Sequence, residues 1–548
     1  MTTFRRGLGY RSVAPAILAF CVLVPAGVRA QQDTTFQDVV KAIMARPAFE
    51  HSIWGLEVYS LDDHQPLYVH NGDKLFTPAS TTKLVTEGTA LALLGADHRF
   101  KTRVYRTGPI AADGTLDGDI VLVASGDPDL SNRIQPDGTL AFENEDHAYD
   151  GSKYTKAVPG DPLQVIRQLA DQIAKHGIKR VTGHVLVDVS LFPEGSRELG
   201  SGVVISPVAV NDNLVDVTIG PGDSLSAPLT IQPSPQTSYV QFVNKTETGP
   251  ADSTKVEIHW AHDSTMVDGS HMVTVTGSMP TGSQPWLFSY AVPQPSRFAE
   301  VVLSEALAED GVSAEPPPYN EVVDFQALSS SYTPDHVVAE HTSPPFSQEL
   351  KVTLKVSQNL HASMTPYILG SVLGGENQNA EKKGFELERD FLGKLGLDLS
   401  GASQGDGAGG AQSAFFAPDF MVRYLAAMRE RDDFNDLYNA LPVLGVDGTL
   451  WNIQTHSPAV GHVHAKTGTF GAYDKLNQHL ILTAKGLAGY ITTVNGRHLA
   501  FAFYLNRVPI PSDLEDGVTK IAGQTLGEIA AAAYAYPIAP SDTATTGH

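Results

Sequence analysis

Cysteine is nearly missing from this chain: of 548 residues, only Cys21 is one. A disulfide framework, a thiol nucleophile and a zinc–thiolate centre are therefore excluded from everything that follows it. Basic residues are also few. Acids outnumber them 61 to 38, for a formal charge of −23, the wrong sign for a protein that lives on phosphate backbones, so no nucleic-acid partner is expected. Beyond the N-terminus no apolar run is long enough to span a bilayer, and the chain has no internal repeat, no collagen period and no long block of like charge. What is present is an apolar fraction of 42% with 18% charged residues, 49 Gly and 35 Pro. That is a globular composition rich in turns, on a chain long enough for several domain-equivalents and at least one large core.

Residues 1–30 differ from the rest. Arg5, Arg6 and Arg11 precede an apolar stretch from Val13 to Val24, followed by Pro25, Gly27 and the step Val28-Arg29-Ala30 before Gln31. This reads as a secretory signal peptide. The stretch is shorter than the roughly twenty residues a membrane anchor needs. Lipid attachment at Cys21 is disfavoured because bulky Phe20 stands where such sites take small residues, and Val22-Leu23-Val24 continues the apolar run. Cleavage would leave an exported, cysteine-free protein, more acidic still because the leader carries arginines and no acid.

The patterning then predicts a helix from Phe36 to Arg46 stopped by Pro47, a strand Trp54–Leu61 turned by Asp62-Asp63 into Pro66–Val69, and a helix beginning near Ser80 and ended by Gly95, with Leu84, Leu91 and Leu94 on its apolar face. From about 101 to 330 the texture changes to short Val-rich strands, among them Ile120–Ala124, Val181–Val189, Val208–Ile219, Tyr239–Val243, Val256–Trp260 and Met272–Val275. Two helices interrupt them. One runs Leu163–His176 with Asp161 as cap, the other Phe298–Asp310, and Glu315-Pro316-Pro317-Pro318 marks a linker. From about 335 helices return (348–355, 360–373, 381–395, 418–429), a hairpin is expected at Asn495-Gly496, and a last helix spans 514–534 before a Pro/Ser/Thr-rich tail read as disordered.

Three short patterns carry chemistry: Ser80-Thr81-Thr82-Lys83, Ser357-Gln358-Asn359 and Lys466-Thr467-Gly468. Each alone is weak, a helix cap, a polar helix surface or a strand-end turn. Together they supply the parts of a serine acyl transfer. Ser80 opens a helix, so Lys83 lies one turn on, on the same side as the hydroxyl. A serine needs a partner to take its proton, and a lysine can do so only if burial or a second cation, here Lys466, lowers its pKa. Ser357 could relay a proton to a leaving amine, while Asn359 could hold a substrate amide and orient Lys83. Lys466 with Thr467 and Thr469 suits a substrate carboxylate, and the backbone N–H groups of Ser80 and Thr469 suit an oxyanion hole.

With these motifs together, the sequence resembles the serine-type D-alanyl-D-alanine carboxypeptidase/endopeptidases, the class C low-molecular-mass penicillin-binding proteins of bacterial cell walls. The resemblance extends over nearly all of the chain after the leader and includes Ser125-Gly126-Asp127-Pro128-Asp129-Leu130, Gly183-His184-Val185-Leu186-Val187-Asp188, Asn211-Asp212-Asn213, Glu340-His341-Thr342-Ser343-Pro344-Pro345, Asp447-Gly448-Thr449-Leu450 and Leu487-Ala488-Gly489-Tyr490. The long separation of Ser80 from Ser357 also matches, since this family inserts extra domains between those motifs. The resemblance implies an α+β penicillin-binding, β-lactamase-like fold, an antiparallel sheet flanked by helices, with a large, mainly β insertion. It divides the chain into a signal peptide (1–30), a discontinuous peptidase domain (31–100 and 331–535), inserted domains (101–330) and a tail (536–548). It also implies an acyl-enzyme on Ser80, Lys83 as general base, Ser357 and Asn359 as the second element, and Lys466-Thr467-Gly468 as the substrate-binding strand. The implied substrates are peptidoglycan stem peptides, the implied inhibitors are β-lactams, and no cofactor or metal is required.

Two departures stand out. Gln358 replaces the usual Asp or Asn and is expected to point away from the reacting atoms. Asp406-Gly407-Ala408-Gly409 replaces Asp-Gly-Ser-Gly, which leaves any role of that serine in doubt. Two other functions fit the same motifs: a β-lactamase or esterase, and a wall-binding scaffold with a vestigial cleft. Gly401-Ala402-Ser403-Gln404-Gly405 fits a nucleophile elbow, but an elbow needs a buried strand before it and a helix after it, and here Gly407, Gly409 and Gly410 follow. His462 and His464 near the third motif form no His-Glu-x-x-His and are expected to be surface or core groups.

Overall fold

In the computed structural model residues 34–538 are described, except 254, 376–378, 513 and 515. The leader lies outside them, as does the tail from 539 on. At the centre is a six-stranded antiparallel sheet in the order Val463–Asp474, His479–Thr492, His498–Asn506, Ile53–Ser60, Gln65–His70, with Val508–Ile510 beside the start of the second strand. Strand His498–Asn506 shows why this sheet is central. Leu499, Phe501, Phe503 and Leu505 alternate with Ala500, Ala502 and Tyr504, and all are buried, so both faces are covered. One face meets helices Phe36–Met44 and Gln524–Ala535 through Phe36, Val40, Leu526 and Ile529. The other meets helices Thr82–Leu94 and Pro418–Arg429 through Leu84, Leu91, Met421 and Leu425. This is the antiparallel sheet flanked by helices that the sequence implied.

Several local readings shift. The turn at Ser80 is a 3-10 turn, Ala79–Thr81, and the α-helix begins at Thr82. Every residue from Thr82 to Leu91 is buried, so this helix has no single apolar face; it is a central rod wrapped on all sides. Asp161 is not the helix cap. The helix starts at Gln164, and Asp161 instead accepts from Leu163 N at 3.0 Å and from Arg167 Nε at 2.7 Å. The expected strand Val208–Ile219 begins only at Leu214, because Asn211, Asp212 and Asn213 take φ of 49°, 55° and 55°, a left-handed run that Asn and Asp tolerate better than other L-residues. At the end of the chain Pro537 O accepts from Phe36 N at 3.3 Å, so the stretch read as tail is anchored at its start.

A second core fills the region after Phe100. A four-stranded sheet in the order Val337–Thr342, Lys101–Arg106, Ile120–Val123, Val185–Asp188 packs on helices Gln164–Lys175 and Pro295–Glu309. Two three-stranded sheets accompany it, built around Leu214–Gly220 and His271–Pro280. The boundary set at 331 assigned Val337–Thr342 to the peptidase part, yet its backbone pairs with Lys101–Arg106.

Candidate active site

The 3-10 turn and the central helix bring Ser80 and Lys83 to one end of the sheet beside its edge strand Val463–Asp474. Gly468 makes that approach possible. A Cβ at this position would sit 2.4 Å from Pro78 O and 3.2 Å from Ser80 N, so only glycine lets the strand pass so close to the nucleophile turn. Ala79 takes φ 46° and Ser357 φ 64°, strained conformations that cluster where chemistry demands an exact placement.

The three motifs converge. Lys83 Nζ donates to Ser80 Oγ at 2.8 Å, to Asn359 Oδ1 at 2.6 Å and to Ala408 O at 3.3 Å, and lies 3.4 Å from Ser357 Oγ. Lys466 Nζ donates to Ser357 Oγ at 2.7 Å and to Thr467 O at 2.8 Å. Thr467 Oγ1 is 2.8 Å from Thr449 Oγ1. Ser80, Ser357, Asn359, Thr467 and Thr469 line a cleft of about 700 Å³, and Tyr149 and Ser201 of the inserted region form part of its wall. A larger cleft of about 1140 Å³ lies beside helix Pro295–Glu309, and no residue of the three motifs lines it.

Burial sets the electrostatics. Both lysines are fully buried. Desolvation pulls the Lys83 ammonium from 10.5 down to about 7, partly opposed by Glu198, Asp406 and Glu87. Of the two causes expected, burial is the one that dominates at Lys83; Lys466 is pushed well below the usual lysine range by burial first and then by Lys83 and Lys485. Lys466 is fully buried and takes no part in the cleft lining. The cation in the cleft wall is Lys485, on strand His479–Thr492 opposite Thr469, whose hydroxyl accepts from Lys485 Nζ at 2.6 Å. Sequence reasoning missed Lys485, because only cross-strand register places it there.

The two departures find their places. Gln358 points away from the cleft: its Oε1 accepts from Leu360 N at 2.8 Å and its Nε2 donates to Asp212 Oδ2 at 3.0 Å. Ala408 acts through its carbonyl on Lys83, while Asp406 accepts from Gly409 N and Gly410 N at 2.7 and 2.9 Å and shapes the loop. Ser403 is exposed on a two-residue strand, far from an elbow's geometry. His464 stacks on Tyr438 and His462 on Tyr534. Among the described residues two buried groups have metal-like spacing, Asp129-Glu349-His361 and Asp146-His147-Asp212. In the second, Arg133 Nη2 already donates to both Asp146 and Asp212 at 2.7 Å, which leaves those carboxylates a cation of their own.

Fold and site together define a serine peptidase of the penicillin-binding type: a Ser-x-x-Lys in the turn that opens the central helix, facing a Ser-x-Asn and a Lys-Thr-Gly strand. The D-Ala-D-Ala carboxypeptidase 3 (S13) family matches residues 36–525, and the chain belongs to it. It is 26% identical over 511 residues to a D-alanyl-D-alanine carboxypeptidase of an Actinomadura species, covering 88% of this chain and 84% of that one. It is 24% identical to the D-alanyl-D-alanine carboxypeptidase DacB of Haemophilus influenzae, covering 86% and 89%. The crystal structure of that organism's penicillin-binding protein 4 (dacB) shares the fold at a TM-score of 0.68 and 21% identity, over 91% of this chain and 98% of that one; another was determined in complex with a β-lactam. The protein is a serine-type D-Ala-D-Ala carboxypeptidase.

Proposed function

We propose that this enzyme hydrolyses the D-Ala-D-Ala ends, and D-Ala cross-links, of peptidoglycan stem peptides outside the cytoplasm, through an acyl-enzyme on Ser80 that β-lactams also form. One observation carries the reading: a buried lysine whose pKa is about 7 donates to Ser80 Oγ at 2.8 Å, so near neutral pH a large fraction is free to accept the serine proton.

Ser80 Oγ attacks the D-Ala carbonyl as its proton passes to Lys83 Nζ. The tetrahedral oxyanion is received by the backbone N–H groups of Ser80 and Thr469. Ser357 Oγ, between Lys466 Nζ at 2.7 Å and Lys83 Nζ at 3.4 Å, delivers a proton to the leaving amine as the C–N bond breaks, and a lysine replaces it. Asn359 holds Lys83 and the substrate amide. The substrate carboxylate is received by the hydroxyls of Thr467 and Thr469 with Lys485 beside them; the buried Lys466 supports this site.

The experiment is incubation with a fluorescent penicillin followed by intact mass and peptide mapping. One acyl group on Ser80 is expected. Ser80→Ala should abolish labelling and peptide hydrolysis in a folded protein, and Ser403→Ala should leave both near wild type. The reverse pattern sinks the assignment. Export rests on the leader, and N-terminal sequencing of secreted material is expected to begin near Gln31.

A further inference from the structure

The second motif is held from outside the peptidase region. Ser357 keeps a left-handed φ of 64°, a conformation that an L-residue holds only when its surroundings fix it. Two contacts from the inserted region do so. Tyr149 donates its hydroxyl to Ser357 O. Asp212, 1% exposed, accepts from Gln358 Nε2 at 3.0 Å through Oδ2 and lies 2.9 Å from His361 Nε2 through Oδ1. One carboxylate thus grips the residue after Ser357 and the first turn of the helix that carries Asn359.

Asp212 is itself firmly anchored. Arg133 Nη2 reaches its Oδ2 at 2.7 Å and His147 Nε2 at 2.8 Å. It stands at the centre of the left-handed run Asn211–Asn213, whose Asn211 Nδ2 donates to Leu214 O at 3.0 Å and whose Asn213 Nδ2 donates to Val204 O at 3.2 Å. Burial opposes ionisation, but Arg133 and His361 outweigh it and hold the Asp212 carboxyl well below the usual carboxylate range. A charged acceptor bound by four donors forms stronger and more directional bonds than a neutral amide would.

We propose that Asp212 is a positioning residue of the active site, which fixes Gln358 and His361 and thereby sets Ser357 Oγ and Asn359 Oδ1 against the two lysines. The inference rests on the acyl-enzyme reading above. It gives the inserted region a part in the chemistry although Asp212 touches no substrate. The alternative is that Asp212 merely balances the buried charge of Arg133 and His147. Gln358→Met separates the two, because it cuts the tie from Asp212 to the residue after Ser357 and leaves the contacts with Arg133, His147 and His361 in place; thermal melting reports the loss of the Leu360 N bond to Gln358 Oε1.

The test is the acylation of the full-length protein by a fluorescent penicillin, resolved into the saturating rate constant and the half-saturation concentration, beside thermal melting. In Gln358→Met the rate constant should fall at least 10-fold, with the half-saturation concentration within about threefold and the melting temperature little changed. Asp212→Asn should fall further, because it also weakens the hold on His361, and the double variant should lose less than the product of the two single losses, since both remove the Asp212–Gln358 contact. If Asp212→Asn does not fold, Gln358→Met decides alone. A folded Gln358→Met that acylates within twofold of wild type overturns the positioning role and leaves the function standing. A wild-type protein that takes no label at Ser80 overturns both.

Discussion

A lysine amine takes a proton from a serine only while it is neutral, and for Lys83 that condition is met above a pKa of about 7. The acylation rate with a β-lactam should therefore rise with pH through about 7 and level off above it; a rate flat from pH 5.5 to 9 denies Lys83 the role of base. The neighbouring cations divide differently from what the motif suggests. Lys466 is buried and bonded to Ser357, whereas Lys485 lines the cleft beside Thr469. Lys485→Ala should cost about 10-fold in kcat/KM, about 1.4 kcal/mol, on a D-Ala-D-Ala peptide and less on an amidated one. Lys466→Ala should lose roughly 30- to 1000-fold on both alike. A loss confined to the charged peptide in Lys466→Ala, with none in Lys485→Ala, would return carboxylate recognition to Lys466.

At the scale of the element, the edge strand Val463–Asp474 and the 3-10 turn Ala79–Thr81 form one unit, because Gly468 allows backbone to lie against backbone. Gly468→Ala must move one of them. The acylation rate should drop on the order of 100-fold, about 2.7 kcal/mol, while thermal melting shifts by only a few degrees, since the rest of the strand stays paired with His479–Thr492. A near-normal rate would mean that the two backbones part without harm. The hairpin that joins the second and third strands of this sheet was readable from Asn495-Gly496. Its loop closes with Gly496 at φ 77° and Gly496 N bonded to Thr493 O at 2.8 Å, and the first strand reaches back to His479.

Across the whole molecule, buried carboxyls make stability depend on pH. Burial raises Glu57, Glu87 and Glu388 each to about 8 from a usual 4.5, so the folded chain keeps protons that the unfolded chain has lost. Their contribution is fully present below about 4.5 and is lost as pH rises through about 8. Glu388→Gln keeps the shape and removes the ionisation. Its melting temperature should gain on wild type as pH rises from about 5 to about 8.5, by the equivalent of roughly 3–4 kcal/mol, with carboxypeptidase activity unchanged. A constant offset across that range would mean that Glu388 stays charged in the fold. Among the described residues no helix is long and apolar enough to cross a membrane.

The sequence by itself determined the local patterns and the chemistry of the parts. Alternation wrote the central strands, glycine and proline marked the ends of helices, and Ser80 with Lys83 was legible because one helical turn suffices to bring them together. The two distant motifs were legible only through the family they resemble, since no local rule says that Ser357 and Lys466 meet Lys83. Tertiary structure decided the rest. It buried Lys466 and put Lys485 in the cleft wall, because strand register, rather than residue type, chooses which side chain faces the cleft. It turned an expected strand at Asn211–Asn213 into a left-handed knot whose aspartate reaches the second motif, a contact across a long sequence separation that periodicity cannot encode. It also set the working pKa of Lys83, because desolvation is a property of the whole surrounding core and of no motif.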